Sequence, residues 1–510
     1  MLRRVGYSFG AQIFGVTLSF LDRFVVVGVL LRLLGNEAYA DWAVLLASAG
    51  LLSLAEGGLN IYFGNVWQSA YARDDRAGFQ RMLHVALGCS AMLGALLLVA
   101  ALVITTIIDL PTSLALRSIT GGQAAAIFLL LAIATISRVM RSAVSQIYRG
   151  RKVFAIGTVI DQLSSLAVIV ATLTATLVFD GGPLSLAIIY IACDLIAGWG
   201  ITIFDLRRRF PCLLFRPTLP SRKDFSEIFQ HVRWFAVPQV GPIALLQMPI
   251  LIASASAIGA TQIVSFVVLR TVINFVRQLA SMLSIAVGVE LATVIHAGSQ
   301  GEVAGRLVAF GRFLSAIAGS MAVAVLAFGA PFVSLWTGGR THFDIVVACW
   351  LLLGMLVSII TAPLASVALL SNRAKPVAIA YMAQLTIGLG AMVVLIPQYG
   401  ISGAAAGLAA GDALGFGVLL PILVAPVLSL DYRRYLAGCL IGMATSAAIA
   451  GLAAWAVAQV LPINSAISLG VAGFIWTMIG FVPALLVTLP PSRRAQIANS
   501  VRHFYRKSPP

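Results

Sequence analysis

Apolar runs of twenty residues or more, parted by short polar breaks, follow one another along almost the whole of this chain. A helix needs about 20 apolar residues to cross the hydrocarbon core of a bilayer, and fourteen such runs fall between residues 6 and 489. In lipid the backbone finds no water to bond, so repeated runs of this length must close their hydrogen bonds internally, as helices. Composition removes the alternative of a water-soluble globule. Of 510 residues, 60% are hydrophobic and only 10% charged, against roughly 25% charged in soluble domains, too few to coat a core of that size. The expected fold class is an all-α polytopic membrane protein with about 14 transmembrane helices. Disorder, nucleic-acid binding and a secreted disulfide scaffold are excluded for the chain as a whole.

The net charge of +16 is an orientation signal. With the N-terminus inside, 25 of the 34 Lys and Arg residues fall in cytoplasmic segments, while the external side receives Arg32, Arg117 and Arg340 and the remaining six lie within or at the edge of spans. Short cytoplasmic loops collect basic residues, so both termini are expected on the cytoplasmic side. Arg3 and Arg4 precede an apolar stretch, but Asp22 and Arg23 interrupt it and no small-residue exit follows. A retained first helix, not a signal peptide, is expected there.

Three short matches recur in order at a nearly fixed offset. Leu34-Gly35 with Ala40-Asp41-Trp42-Ala43-Val44-Leu45 aligns with Ile258-Gly259 and Val264-Ser265-Phe266-Val267-Val268-Leu269, an offset of 224. Arg151-Lys152-Val153-Phe154 aligns with Ala374-Lys375-Pro376-Val377 at 223, and Ala192-Cys193-Asp194-Leu195 with Ala410-Gly411-Asp412-Ala413 at 218. These matches predict two parallel six-helix lobes, 1–206 and 230–428, joined by a basic cytoplasmic linker at 207–229. An additional helix pair at 429–489 and a basic tail at 490–510 follow. Parallel repeats imply a pseudo-two-fold axis along the membrane normal, a cavity between lobes and alternating access, so transport is the leading class.

The turn Ile396-Pro397-Gln398-Tyr399-Gly400-Ile401-Ser402-Gly403-Ala404-Ala405 is similar to the signature before the twelfth helix of polysaccharide transporters in the multidrug/oligosaccharidyl-lipid/polysaccharide (MOP) exporter superfamily. Leu34-Gly35 with Tyr39, followed by Glu56-Gly57-Gly58-Leu59, resembles the opening helices of that family. The resemblance spans roughly the first 430 residues and implies a MATE/MOP-like fold. It further implies a Wzx-type flippase that carries an undecaprenyl-diphosphate-linked oligosaccharide across the bacterial inner membrane for O-antigen or exopolysaccharide assembly. Wzx-type flippases usually have twelve helices, and the additional pair is similar to the lipid II flippase branch. Implied partners are the lipid-linked oligosaccharide, the bilayer, and a polysaccharide polymerase with its chain-length machinery.

Charged residues inside spans must face a wet cavity or one another, since an unpaired Arg or Asp at mid-bilayer costs roughly 2.5 to 3.5 kcal/mol on insertion scales. The basic ones are Arg23, Arg138, Arg141, Arg270 and Arg277, and the acidic ones Asp22, Glu56, Asp161, Asp194 and Asp412. One reading has the arginines line a cationic cavity and bind a diphosphate, whose oxygens suit the guanidinium fork. The other has them pair internally with carboxylates such as Asp161 or Glu56 and hold helices together. Asp22, Glu56 and Asp161 are likewise candidates either for coupling to a proton or sodium or for internal ion pairs. Asp194 and Asp412, at equivalent repeat positions, point to a structural role. Drug exporters of the superfamily are expected to favour acidic cavities, so the sign of the lumen separates a multidrug exporter from a lipid-diphosphate flippase.

Gly403, Gly407, Gly411 and Gly415 form a ridge with spacing four, suited to close helix approach. Pro238, Pro242 and Pro249, with Gly241, free backbone carbonyls in the seventh helix and are candidates for gating or for static kinks. No catalytic motif competes with transport. There is no GxxxxGK(S/T) loop for a nucleotide, the five histidines have no metal-ligand spacing, and the five cysteines read as apolar filler. Neither cofactor, metal nor enzymatic activity is expected, and every external connection is too short for a polymerase or ligase loop.

Overall fold

The structure, a computed structural model, describes residues 14–151, 153–256, 258–296, 300–371 and 373–488. The basic tail at 490–510, Lys152, Arg3 and Arg4 lie outside the described residues. Every regular element among the described residues is helical. Apart from the single turn Leu110–Ser113 they are, in chain order, α1 (Phe14–Glu56), α2 (Leu59–Ala72), α3 (Arg76–Ile107), α4 (Gly121–Gly150), α5 (Phe154–Val178) and α6 (Pro183–Arg209). Then come α7 (Arg222–Ala255), α8 (Ala260–His296), α9 (Gln300–Thr337), α10 (Ile345–Leu370), α11 (Ala374–Val424), α12 (Tyr432–Val460) and α13 (Ala466–Thr488). Twelve of them, all but α2, are long and apolar enough to cross a membrane. The chain is a multi-pass membrane protein.

Two of the twelve are not single rods. At 43 and 51 residues, α1 and α11 would each reach about 65 to 75 Å at the α-helical rise, more than twice the hydrocarbon thickness. Each is broken at a glycine with positive φ, Gly35 (80°) in α1 and Gly400 (58°) in α11, a conformation that other residues resist. After Gly400 the chain folds back on itself. A methyl on Gly403 would strike the Leu395 carbonyl, one on Gly407 would lie 2.6 Å from Met392, and one on Gly411 would lie 2.6 Å from the Gln384 carbonyl. Gly415 closes on Gln384 in turn. Contacts that climb one limb while descending the other define an antiparallel hairpin, and the glycine ridge is its seam.

Packing divides the chain into two compact units, Met1–Val264 and Ser265–Pro510, with the boundary in the opening turns of α8. In the first unit α7 lies against α1, where Gln247 fills the space over Gly50 and Ala236 that over Gly57. This packing boundary falls after α7, beyond the basic linker at 207–229. The linker itself is strapped to α3. Thr218 N donates to the His84 carbonyl at 3.1 Å, and Arg81 pairs with Asp224 at 2.9 Å. Ser221 caps α7 by donating to and accepting from Asp224, and those bonds hold the Asp224 carboxyl below the usual carboxylate range.

In the second unit the C-terminal pair is part of the core. Small residues bring α12 beside α9 in parallel register: Gly438 meets Val308, Gly442 meets Arg312, and Gly319 meets Ser446. Tyr435, fully buried, donates to the Ile360 carbonyl of α10 at 2.6 Å. Trp476 of α13 donates to the Ala450 carbonyl at 3.0 Å and packs edge-on against Phe328 of α9.

Candidate functional site

Each unit holds an ionic cluster built around an arginine and an aspartate inside its spans. In the first, Arg141 of α4 donates from Nη1 to Asp161 of α5 at 2.6 Å, and from Nε and Nη2 to Asp194 of α6 at 3.3 and 3.2 Å. Ser137, one turn earlier on α4, donates to the second Asp194 oxygen at 2.5 Å and accepts from Trp199 Nε1 at 2.9 Å. Arg141 and Asp194 are only 4% and 1% exposed. Charges so deeply buried survive only when paired and hydrogen-bonded, and here all three Arg141 nitrogens donate to carboxylates. Gly198 leaves the room for it, since a methyl there would lie 2.8 Å from Arg141 Nε.

Asp161 is the open member of this triad. Its side chain is 44% exposed and faces a cavity of about 360 Å³, lined also by Asp22 of α1, by Arg138 and Ser142 of α4 and by Tyr190 of α6. Arg138 stands exposed in that cavity without a hydrogen bond or ion pair among the described residues. Arg23, next to Asp22, is not among the lining residues, as expected for adjacent positions on a helix. Glu56 accepts from Asn60 at 2.5 Å, and Asn60 donates in turn to Ser142 at 2.9 Å. An asparagine, not an arginine, is therefore the partner of Glu56, and it ties α1 to α4.

In the second unit Arg277 of α8 donates to Asp412 of α11 at 2.9 Å, and Gln384 Nε2 donates to the other Asp412 oxygen. Gly354 of α10 makes the space, since a methyl there would collide with Asp412. The Arg277 side chain is 31% exposed, and its buried Nε has no partner among the described residues. Arg270, two turns earlier, is 7% exposed, with its guanidinium 5.5 Å from the Phe266 ring centroid.

The two aspartates share a local backbone device. Asp194 and Asp412 each open a π-helical segment, Asp194–Trp199 and Asp412–Leu419, and Asp22 sits in a third, Leu21–Val26. A π turn displaces one residue from the regular ladder, and such turns concentrate at functional sites. Pro238, Pro242 and Pro249 all lie within α7, which stays helical from Arg222 to Ala255.

Sequence reasoning did not single out Gln384, Ser137, Asn60 or Trp199. A signal existed for Gln384, because it stands 223 residues beyond Asp161, the offset of the second repeat match.

No family model and no curated protein matches this sequence. Solved structures do match. An inward-facing multidrug-resistance MATE family transporter of the MOP superfamily is 14% identical, covering 82% of this chain and 98% of its own with a TM-score of 0.66. The lipid II flippase MurJ, in an inward closed conformation, is 11% identical over 94% of this chain and 98% of its own, with a TM-score of 0.69. The eukaryotic MATE transporter AtDTX14 is 17% identical over 86% and 98%, with a TM-score of 0.57. These neighbours are transporters and a flippase, not enzymes. At such identities the likeness concerns fold, and the fold of this chain is the one that MATE transporters and the lipid II flippase share.

Proposed function

We propose that this protein is a flippase for an undecaprenyl-diphosphate-linked oligosaccharide, acting by alternating access in the bacterial inner membrane to supply O-antigen or exopolysaccharide assembly. The observation that carries the reading is Arg138, a guanidinium within a span that faces a cavity with its donors unfilled. Such a group calls for water or an anionic ligand, and a diphosphate supplies oxygens for the guanidinium fork. Arg277, its side chain 31% exposed beside Asp412, serves the same chemistry in the second unit, whereas Arg141 is committed to Asp161 and Asp194 and Arg23 lies outside the cavity at Arg138. Pro238, Pro242 and Pro249 let α7 bend during the cycle.

The chain crosses the membrane fourteen times in this reading, with α1 and α11 each crossing twice around Gly35 and Gly400 and both termini in the cytoplasm. The broader coverage by the lipid II flippase, 94% of this chain against 82% for the MATE transporter, supports counting α12 and α13 as a crossing pair. Moving two negative charges outward across a membrane with an inside-negative potential of about 100 mV releases about 4 to 5 kcal/mol if they cross unneutralised, so membrane potential contributes to the drive. Collapsing the potential is expected to slow flipping, and an unchanged rate would reject that part.

A second reading has its own support. Asp22 and Asp161 line the same cavity as Arg138, and acidic groups there suit a cation-coupled multidrug exporter. Deleting the gene and profiling lipid-linked intermediates separates the readings. Accumulated undecaprenyl-diphosphate oligosaccharide in viable cells without surface polymer, uncorrected by an Arg138→Ala copy, is the expected result. Accumulated lipid II with lysis would move the substrate to peptidoglycan precursors. Normal glycans with new drug sensitivity would make Asp22 and Asp161 the working groups.

A further inference from the structure

The basic end of the first unit carries a groove that transport leaves unused. It is a cavity of about 950 Å³ on α5 and α6, with Val159, Leu163, Ile201 and Phe204 among its walls and Arg149 and Arg209 at one end. Val159, Leu163 and Phe204 are 36%, 38% and 67% exposed, so the groove opens outward, where the bilayer would be. Its polar end carries net positive charge. Asp205 also lies there, but its oxygens are taken by Tyr148 at 2.9 Å and by Arg209 at 2.8 and 2.9 Å. Arg149 donates to Asn65 at 3.2 Å, a neutral partner, and has no ion pair among the described residues.

Depth identifies the occupant. Leu163 lies nine residues beyond the start of α5 at Phe154, about 14 Å along the helix axis, or roughly half of a hydrocarbon core about 30 Å thick. An apolar channel one leaflet deep, headed by arginines at interface height, matches a single acyl chain hung from a phosphate. We propose that this groove seats one anionic phospholipid, with its phosphate against Arg149 and Arg209 and one acyl chain along Leu163 and Phe204. The site is separate from the cavity at Arg138, so its test does not depend on what the chain transports.

Native mass spectrometry of the purified full chain with dioleoyl phosphatidylglycerol, dioleoyl phosphatidylcholine or glycerol 3-phosphate tests this. One phosphatidylglycerol is expected to remain bound where phosphatidylcholine is stripped, with glycerol 3-phosphate failing to compete. The Arg149→Gln, Arg209→Gln variant should lower retention about fivefold per arginine, the loss expected of one basic side chain at an anionic surface. Leu163→Trp keeps both charges and should expel the lipid by filling the groove, which keeps the test open if the double variant does not fold. Equal retention of both lipids would mean ordinary boundary lipid and overturn the proposal. So would competition by glycerol 3-phosphate, which would mark a headgroup site without a groove, or retention unchanged in both variants.

Discussion

Asp161 and Gln384 stand 223 residues apart and Asp194 and Asp412 218, yet the polar clusters of the two units to which they belong are built differently. In the first, α5 and α6 supply Asp161 and Asp194, and Arg141 of α4 satisfies both. In the second, the equivalent positions supply Gln384 and Asp412, and the arginine arrives from α8 as Arg277. Residues 223 to 224 beyond Arg141 are Leu364 and Ala365, so the second unit has no arginine at the matching place. The lesson concerns charge balance. Two carboxylates and one guanidinium leave the first cluster with an excess acid, exposed as Asp161, while replacing one carboxylate by an amide leaves the second pair neutral. A repeat can keep the buried aspartate and its π-helical turn while exchanging the group that answers it.

The sharpest test of that difference removes each arginine. Arg141→Ala would strip the counter-charge from both carboxylates, and losing one partner of a buried pair costs about 3 to 5 kcal/mol. Arg277→Ala would leave the single buried carboxylate of Asp412, 3% exposed, without its counter-charge but with its bond from Gln384, for about 2 kcal/mol. Chemical unfolding in mixed micelles measures both. Equal losses would mean that the excess acid has no energetic role and that the two clusters are equivalent.

Exchanging the distinguishing side chain is the next test. Gln384→Asp would place a second carboxylate on a single arginine and replace a donor by an acceptor, an expected loss of about 1 to 3 kcal/mol. Asp161→Gln, the reverse exchange, leaves Arg141 paired with Asp194 and should cost less than about 1 kcal/mol. The same unfolding measurement applies, and a larger loss for Asp161→Gln than for Gln384→Asp would break the comparison outright.

Much of this was legible in the sequence because it rests on local chemistry. Run length predicts helices that cross a membrane, Gly400 in its Pro-x-x-Gly turn predicts a reversal, and Gly403 to Gly415 predict a close helix seam. Each signal spans fewer than about 30 residues. Asp194 and Asp412 were found because their sequence contexts match. Arg141 and Arg277 were found too, but not which acid each meets, because Arg141 and Asp194 are 53 residues apart and Arg277 and Asp412 are 135 apart. Tertiary packing, not spacing, decides which arginine turns to which acid. The parallel seam of α9 and α12 is hidden for the same reason: Gly319 and Ser446 carry no mark that they face each other. A glycine that makes room for a charge, as Gly198 and Gly354 do, is indistinguishable in sequence from one that makes room for a helix.

A further test lies away from the clusters, at residues matched by an offset of 224. Asp41 and Ser265 are equivalent at offset 224, and the loops they hold are equivalent at the same offset, Ser118 against His342. Asp41, 3% exposed, accepts from Arg117 N at 3.1 Å, from Ser118 N and Oγ at 2.7 and 2.8 Å, and from Ile119 N at 3.0 Å. Ser265 donates a single bond to the His342 carbonyl at 2.9 Å. The first unit again uses a carboxylate where the second uses a neutral group, and the same accounting predicts the outcome. Asp41→Ala orphans three backbone amides of the loop and should cost about 2 to 3 kcal/mol, because bonds to a charged acceptor are the stronger kind. Ser265→Ala loses one neutral bond, about 1 kcal/mol. Amide hydrogen exchange at residues 117 to 119 and 341 to 343 reads the two loops separately. Faster exchange in the first loop alone after Asp41→Ala, with little change in the second after Ser265→Ala, extends the asymmetry of the clusters to the loops. Equal acceleration would confine it to the buried arginines, and charge exchange between the units would then be a feature of the spans and not of the repeat.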